Sequence, residues 1–348
     1  NTVVGGYSHT NFKLKQTASE EVILANPSGV IVDSISITPT QLNHSFGRTT
    51  NGAATWSIFT NPSPNASNSG AFQGYAPKPA FSLAPGFYAN SQIISIATPD
   101  PLSTIRYTTN GTDPTLSSTL YTGPIIVDST TLIRARCFSS NSAVLPGFIE
   151  TNTYFINATH TLPVISLGGN YSSLFSSWNM ALPSSFEYFD KTGAFQFEGY
   201  GEADKHGNDS WAFPQKGIDY VVKDEYGYNN QFEYQIFHTK NRLQFQKLIL
   251  KAGGSDNYPG FGGPSCHIRD AFMHSIGERA NIDIDHRTNE SCVVYINGQY
   301  WGIYELREKP MDPDYTAYYY GQKEEDLDWL SYWGALTERY GSAVDWMD

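Results

Sequence analysis

The chain has 348 residues, of which 16% are charged and 14% aromatic, and its formal net charge is −12. An acidic surface disfavours nucleic-acid phosphates and anionic lipid as general partners, and the sequence lacks the run of about 18 apolar residues that a membrane-spanning helix needs. At roughly 100–200 residues per domain the length predicts a multidomain chain. The aromatic and Thr content favours β-rich, extracellular-style domains.

The first segment, residues 1–70, contains short strand-like runs. Glu21–Leu24 and Val30–Ile37 flank Asn26-Pro-Ser-Gly29, which predicts a hairpin turn because Pro presets φ and Gly accepts a positive φ. The Asn-, Ser- and Pro-rich stretch over residues 61–70 predicts a linker.

These runs carry a first family resemblance. Taken with His9–Leu14, Ser45–Arg48 and Trp56, they resemble the C-terminal half of a lamin-tail domain, which implies a small immunoglobulin-like β-sandwich. The chain begins at Asn1 within domain-like sequence, so we expect a fragment or a processed chain.

The second segment, residues 71–157, shows the regular strand spacing of a β-sandwich. The predicted strands are Phe87–Ile96, Thr104–Thr109, Leu120–Val127, Thr131–Phe138 and Thr151–Ile156. The stretches Ile105–Thr115, Leu120–Pro124 and Thr131–Arg136 resemble the C-terminal domain of chitobiase-type hexosaminidases, which implies a fibronectin-like module. Asp113 is interpreted as a turn residue, because glycoside hydrolysis needs a second carboxylate that the pattern does not supply.

The third segment, residues 158–348, mixes strands and helices, so we expect an α+β domain. Ile268–Ala280 predicts a helix, with Ile268, Phe272 and Ile276 on one face. A second helix is predicted at Asp326–Tyr340. The predicted strands are Leu162–Leu167, Ile218–Val222, Phe245–Leu250, Ser291–Ile296 and Trp301–Leu306.

Three motifs follow one another in this segment. The first is Gly199–Trp211, with Pro214-Gln-Lys216 behind it; the second is Leu248–Gly254 with His267–Asp270; the third is Tyr295–Lys309. In this order they resemble the CotH kinase family. The resemblance implies a multidomain chain of two all-β immunoglobulin-like sandwich modules followed by an α+β partial protein-kinase-like domain.

The resemblance also implies ATP and magnesium as cofactors. Loop N–H groups bind phosphate oxygens, a strand lysine adds a positive charge, and in kinases a helix acid holds that lysine. Asp270 or Glu278 is the predicted partner of Lys216, and the stretch around Pro310 and Pro313 the predicted adenine-reading hinge. The predicted nucleotide-binding residues are Gly207, Asn208, Ser210, Lys216, Asp270, Glu278 and Glu308.

The catalytic segment of a kinase is not evident. Asp345 and Asp348 lie in a stretch that predicts a helix rather than a catalytic loop, so we expect no catalytic residue in this chain. The scattered His and Cys residues predict no metal site.

The predicted function is therefore part of a secreted or cell-surface kinase that uses Mg-ATP to phosphorylate Ser/Thr of surface proteins. The alternative is a non-catalytic adhesion or carbohydrate-binding protein with a degenerate kinase-like domain. In that case Trp56, Trp178 or Trp211 would contact sugar.

Several residues are interpreted as structural. Cys137 is predicted in a core, whereas Cys266 and Cys292 are free to pair but are expected to be reduced. Asn297-Gly298 predicts a type I′ hairpin turn. Packing roles are predicted for Trp301 and Tyr304, and a structural salt bridge for Arg269 and Asp270.

Overall fold

A computed structural model of the chain describes residues 2–4, 7–9, 14–176, 181–257, 265–282, 284–323, 326–332 and 334–344. Strands hold 41% of the described residues and helices 11%. This confirms a mainly β, multidomain chain.

The first segment forms three separate two-stranded antiparallel sheets, β1–β2, β3–β4 and β5–β6. The turn predicted between β3 and β4 is present, with Gly29 at a φ of 79°. The lamin-tail assignment stays a prediction. The strands are β1 (Thr2–Val4), β2 (Tyr7–His9), β3 (Glu21–Ala25), β4 (Ile31–Ser36), β5 (Ser45–Arg48) and β6 (Trp56–Phe59).

The second segment is a β-sandwich-type module. Its strands are β7 (Gly74–Tyr75), β8 (Ala80–Phe81), β9 (Gly86–Tyr88), β10 (Gln92–Ile94), β11 (Ile96–Ala97), β12 (Ser103–Thr108), β13 (Thr119–Leu120), β14 (Ile125–Val127), β15 (Thr131–Ser139), β16 (Val144–Leu145) and β17 (Glu150–Ile156). The main sheet has the order β13-β12-β15-β17-β9, and short pairs complete the module. Its core contains Ile105, Ile133 and Cys137, which confirms the buried cysteine.

The third segment is built around a closed barrel of the order β18-β19-β20-β21-β24-β26-β25. The β18–β25 pair is parallel and every other pair antiparallel. The elements are β18 (Val164–Gly169), α1 (Tyr171–Ser176), β19 (Leu182–Phe189), β20 (Phe195–His206), β21 (Gly217–Val222), β22 (Phe232–Glu233), β23 (Gln244–Phe245), β24 (Lys247–Lys251), α2 (Arg269–Arg279), β25 (Asn289–Ile296), β26 (Gln299–Glu308), α3 (Pro313–Tyr320), β27 (Trp329–Tyr332) and β28 (Leu336–Tyr340).

Alternation along the strands separates the two faces of the barrel wall. Tyr220, Leu248, Leu250, Tyr304 and Leu306 fill the interior, so the packing role predicted for Tyr304 is confirmed. The side chains between them in sequence face outward and carry most of the charge of these strands.

The predicted helix at Asp326–Tyr340 is wrong, because β27 and β28 form an antiparallel hairpin there. Gly334 takes a φ of 79° between the strands, a conformation that ends regular α-helix. The irregular stretch predicted around Pro313 is instead the start of α3. Its signal was the Asp312-Pro313 pair, with Asp312 accepting from the Asp314 N–H as an N-cap and Pro in the first turn.

The helix predicted at Ile268–Ala280 is confirmed as α2. Its apolar stripe is exposed, since Ile268, Phe272 and Ile276 keep 54%, 57% and 40% of their surface in the described structure. The Asn297-Gly298 turn between β25 and β26 is also confirmed, with φ of 53° and 77°. Asp345 and Asp348 lie outside the described residues.

Candidate functional site

The loop predicted to bind phosphate joins β20 to β21. Gly207 has a φ of 93°, and a Cβ placed there would lie 2.2 Å from the Ser210 hydroxyl oxygen, so the backbone can follow this path only with glycine. The indole of Trp211 is buried and donates to the Gly217 carbonyl at 2.9 Å. The Lys216 ammonium donates to the Trp211 carbonyl. The loop is therefore closed on itself by its own residues.

The loop packs against the turn that follows β24. A Cβ on Gly254 would lie 2.8 Å from the Phe213 ring and 3.2 Å from the Ser210 carbonyl oxygen. The Asn257 amide donates to Gln215 Oε1 at 3.0 Å. This contact brings the loop next to the end of β24, where Lys251 lies.

The strand lysine and helix acid of the site are Lys251 and Asp270. The Lys251 ammonium donates to Asp270 Oδ2 in α2, and so does Arg307 from β26. Burial alone would raise the pKa of the Asp270 carboxyl, but the Lys251 hydrogen bond and the Arg307 charge lower it to about 2. Burial lowers the pKa of Lys251. Asp270 keeps 47% of its side-chain surface exposed, so this group of charges is open on one side.

The predicted pairing of Lys216 with a helix acid is wrong. Asp270 pairs with Lys251, and Glu278 pairs with Lys240 at 2.8 Å. Eight residues of helix separate the two acids by about 12 Å. Lys216 follows the loop in sequence, but the lysine that reaches α2 is Lys251 on β24, and only the three-dimensional pairing reveals this.

Glu308 and Arg269 also have other partners than those predicted. Glu308 is fully buried and accepts from Arg242 at 3.2 Å, so its carboxylate stabilises the end of the barrel instead of facing a ligand. Arg269 binds Asp256 at 2.6 Å. The predicted Arg269–Asp270 bridge is therefore replaced by two separate ion pairs.

A second group of charges lies on the same outer face. Asp219 Oδ1 is 3.0 Å from His206 Nδ1, and its other oxygen accepts from the Lys309 ammonium. Burial would raise the pKa of Asp219, but the His206 hydrogen bond and the charges of His206 and Lys309 lower it below its ordinary value. Asp219 is therefore an anion that holds the His206 ring and the Lys309 ammonium in place.

Strand register joins the two groups into one surface. Asp219 lies opposite Ile249, and Ile249 lies opposite Arg307, and cross-strand partners project to the same face. Lys247 and Lys251 share that face of β24, about 13 Å apart at roughly 3.3 Å per residue. We call this the charged face: Asp204, His206, Asp219, Lys247, Lys251, Arg307 and Lys309, with Asp270 above it.

A cavity of about 260 Å³ opens on the charged face at the Lys247 end. Its walls include Val221, Lys309, Met311 and Pro313, the last three from the segment that leaves β26. The hairpin β27–β28 closes the opposite side with Trp329. The segment predicted as a hinge therefore borders a cavity large enough for part of a small ligand.

Family models match part of the second segment and part of the third. Residues 204–328 match the model described as CotH kinase protein. This region is therefore similar to the CotH kinase family. Residues 83–144 match the chitobiase/beta-hexosaminidase C-terminal domain, and a comparison with curated proteins finds no match. The loop, Lys251, Asp270 and the cavity all lie within or directly beside the CotH kinase region.

Two further properties concern the described residues alone. They contain no helix that is both long enough and apolar enough to cross a membrane. They also contain no cluster of three or more His, Cys, Asp or Glu side chains arranged to hold a metal ion.

Proposed function

We propose that this chain carries the nucleotide-binding part of a secreted or cell-surface CotH-type kinase that uses Mg-ATP to phosphorylate Ser or Thr of surface proteins. The observation that carries the proposal is the open Lys251–Asp270 pair beside the 207–216 loop. Protein kinases place a Gly-containing loop, a strand lysine, a helix acid and a hinge in this chain order. The CotH kinase match over the same residues supports it.

Each part has a distinct task in this proposal. Backbone N–H groups at Gly207, Asn208 and Ser210 bind phosphate oxygens. Lys251 adds a positive charge that Asp270 and Arg307 keep in position. The base occupies the cavity beside Met311 and Pro313, because Lys247 and Lys251 are about 13 Å apart on one strand and the loop lies at the Lys251 end.

The charges of the site fit an anionic nucleotide, and magnesium would enter with its phosphates. Mg²⁺ in kinase sites binds phosphate oxygens, water and one or two carboxylates instead of a complete protein cage. It supplies charge neutralisation at the transferred phosphate. Asp270, exposed on one side, is the carboxylate of the charged face that we propose approaches it.

Equilibrium dialysis of the full chain with Mg-ATP tests the proposal. We expect saturable binding that weakens at least tenfold in Lys251→Ala, because a phosphate loses its charge partner. Lys191→Ala is the matched control, since Lys191 lies in an exposed turn outside the CotH kinase region. Absence of binding at millimolar Mg-ATP, or equal binding by wild type and Lys251→Ala, would contradict the proposal.

One of the three contacts proposed for the carbohydrate-binding alternative, Trp211, is closed to a ligand. Trp211 is buried and bonded within the loop, and Trp56 lies 5.2 Å from the Phe46 ring with Arg48 over its face. Trp178 lies outside the described residues. We therefore propose the kinase function alone.

A further inference from the structure

The hairpin β27–β28 forms one wall of the cavity on the charged face. The roles proposed for the loop and for the Lys251–Asp270 pair do not involve this hairpin. Leu327 is buried and, with Trp329 and Arg339, lines the cavity opposite the barrel strands. The sequence predicts a helix here with Leu327 on its inward face, and it assigns no role to Trp329 or Arg339.

The hairpin is held in shape by its own polar contacts. The Arg339 guanidinium Nε donates to the Ser331 hydroxyl at 2.8 Å. Beyond the strands, the Ser342 N–H donates to Asp328 at 2.6 Å and the Ala343 N–H to Glu338 at 2.8 Å. The hairpin can therefore present Trp329 and Arg339 to the cavity without support from a ligand.

The walls combine an aromatic ring with an excess of positive charge. Asp219 and Lys309 neutralise each other, which leaves Lys247 and Arg339 against Asp204. Val221, Met311 and Leu327 supply apolar contact. A flat, apolar group attached to an anion matches this lining, because bases stack on aromatic side chains and guanidinium groups bind phosphate oxygens.

We propose that the hairpin β27–β28 is a specificity element of the nucleotide site, in which Trp329 stacks on the purine and Arg339 faces an anionic group of the nucleotide. This inference rests on the proposed nucleotide-binding function. Trp329 and Arg339 would then determine which nucleotides bind. The base would lie between the hairpin on one side and Val221 and the 309–313 segment on the other.

Dialysis with three probes tests the inference on the full chain: Mg-ATP, adenosine and inorganic triphosphate with Mg²⁺. We expect Trp329→Ala to weaken Mg-ATP and adenosine roughly 5- to 150-fold, the range that loss of base stacking gives, and to leave triphosphate binding within about twofold. Arg339→Gln should weaken Mg-ATP but not adenosine. Trp56→Phe, in the first segment, is the matched control.

Tryptophan emission gives a second readout, which does not require that Trp329→Ala folds. Mg-ATP should change the emission of wild type, and Trp329→Phe should remove most of that change while still binding Mg-ATP. If Mg-ATP binds but Trp329→Ala and Arg339→Gln bind as wild type, the hairpin assignment is overturned and the proposed function stands. If no probe binds to wild type, both are overturned.

Discussion

Two clusters of charge in this molecule use similar residues in opposite ways. At the junction between the sandwich module and the barrel, Arg134 is fully buried and donates to the Gly111 carbonyl at 2.7 Å, to Asp113 at 2.6 Å and to the Tyr200 hydroxyl at 2.8 Å. On the charged face, Asp270 binds Lys251 and Arg307 but stays half exposed.

The difference separates a structural cluster from one that can accept a ligand. The Arg134 donors are directed at atoms of the module and the barrel, so a ligand could bind only by breaking the junction. At Lys251 and Asp270 a phosphate could approach from solvent without disrupting a buried contact. Burial and the number of occupied partners, rather than charge itself, distinguish the two.

The largest effect on stability is expected at the junction. Arg134→Met should lower the free energy of unfolding by about 3 kcal/mol, because it leaves the buried polar partners of the guanidinium without a hydrogen-bond donor. Urea unfolding measures it. Arg106→Met is the control, since Arg106 donates to the Ser118 carbonyl within the module; an equal loss in both variants would show that the junction contributes nothing of its own.

Two glycine substitutions test whether the sandwich module packs closely against the Asn297-Gly298 turn of the barrel. Gly298→Ala should cost about 2 kcal/mol, because φ is 77° and the new Cβ would lie 3.0 Å from the Leu132 backbone nitrogen of the module. Gly321→Ala has a similar φ of 64° but open space, so it should cost about 1 kcal/mol. Thermal unfolding compares them, and identical losses would mean that the module does not press on this turn.

Glu187 should make the stability of the junction fall as the pH rises, whereas the lowered pKa values of Asp219 and Asp270 act in the acid range. Burial raises its pKa to about 8, although hydrogen bonds from Thr153 oppose the rise. The folded chain then holds a proton that the unfolded chain releases above about pH 4.3, so stability should fall as pH rises from there to about 8.

Glu187→Gln should remove this dependence of stability on pH. Relative to wild type, the variant should therefore become more stable as the pH rises from about 5 to about 8. Glu198→Gln, its cross-strand partner, is the control and should keep most of the slope. Urea unfolding at the two pH values tests this. An unchanged slope in Glu187→Gln would place the titrating group elsewhere.

The smallest effect on stability is expected on the charged face. Asp270→Asn should cost less than about 1 kcal/mol, since half of the side chain is exposed to solvent. It should nevertheless weaken Mg-ATP binding several-fold, because Lys251 loses its positioning partner. Dialysis and urea unfolding of the same variant separate the effect on binding from the effect on stability. A large loss of stability with unchanged binding would show that Asp270 has a structural role and does not contribute to ligand binding.

Local features of the fold were predictable from the sequence and long-range pairings were not. The Asn297-Gly298 turn and α2 follow from turn chemistry and helical spacing. The choice of Lys251 over Lys216 depends on which strand borders α2. The Arg134–Tyr200 contact joins residues 66 positions apart, and nothing in the local sequence indicates that Asp113 would bind Arg134 at 2.6 Å.

Hydrogen exchange of the full chain with and without Mg-ATP tests the central claim most directly, because both regions report in one experiment. We predict added protection in residues 204–217, 247–257 and 305–313, with none at the junction around residues 108–113 and 150–155. Unchanged exchange along the charged face, or protection confined to the junction, would contradict the account.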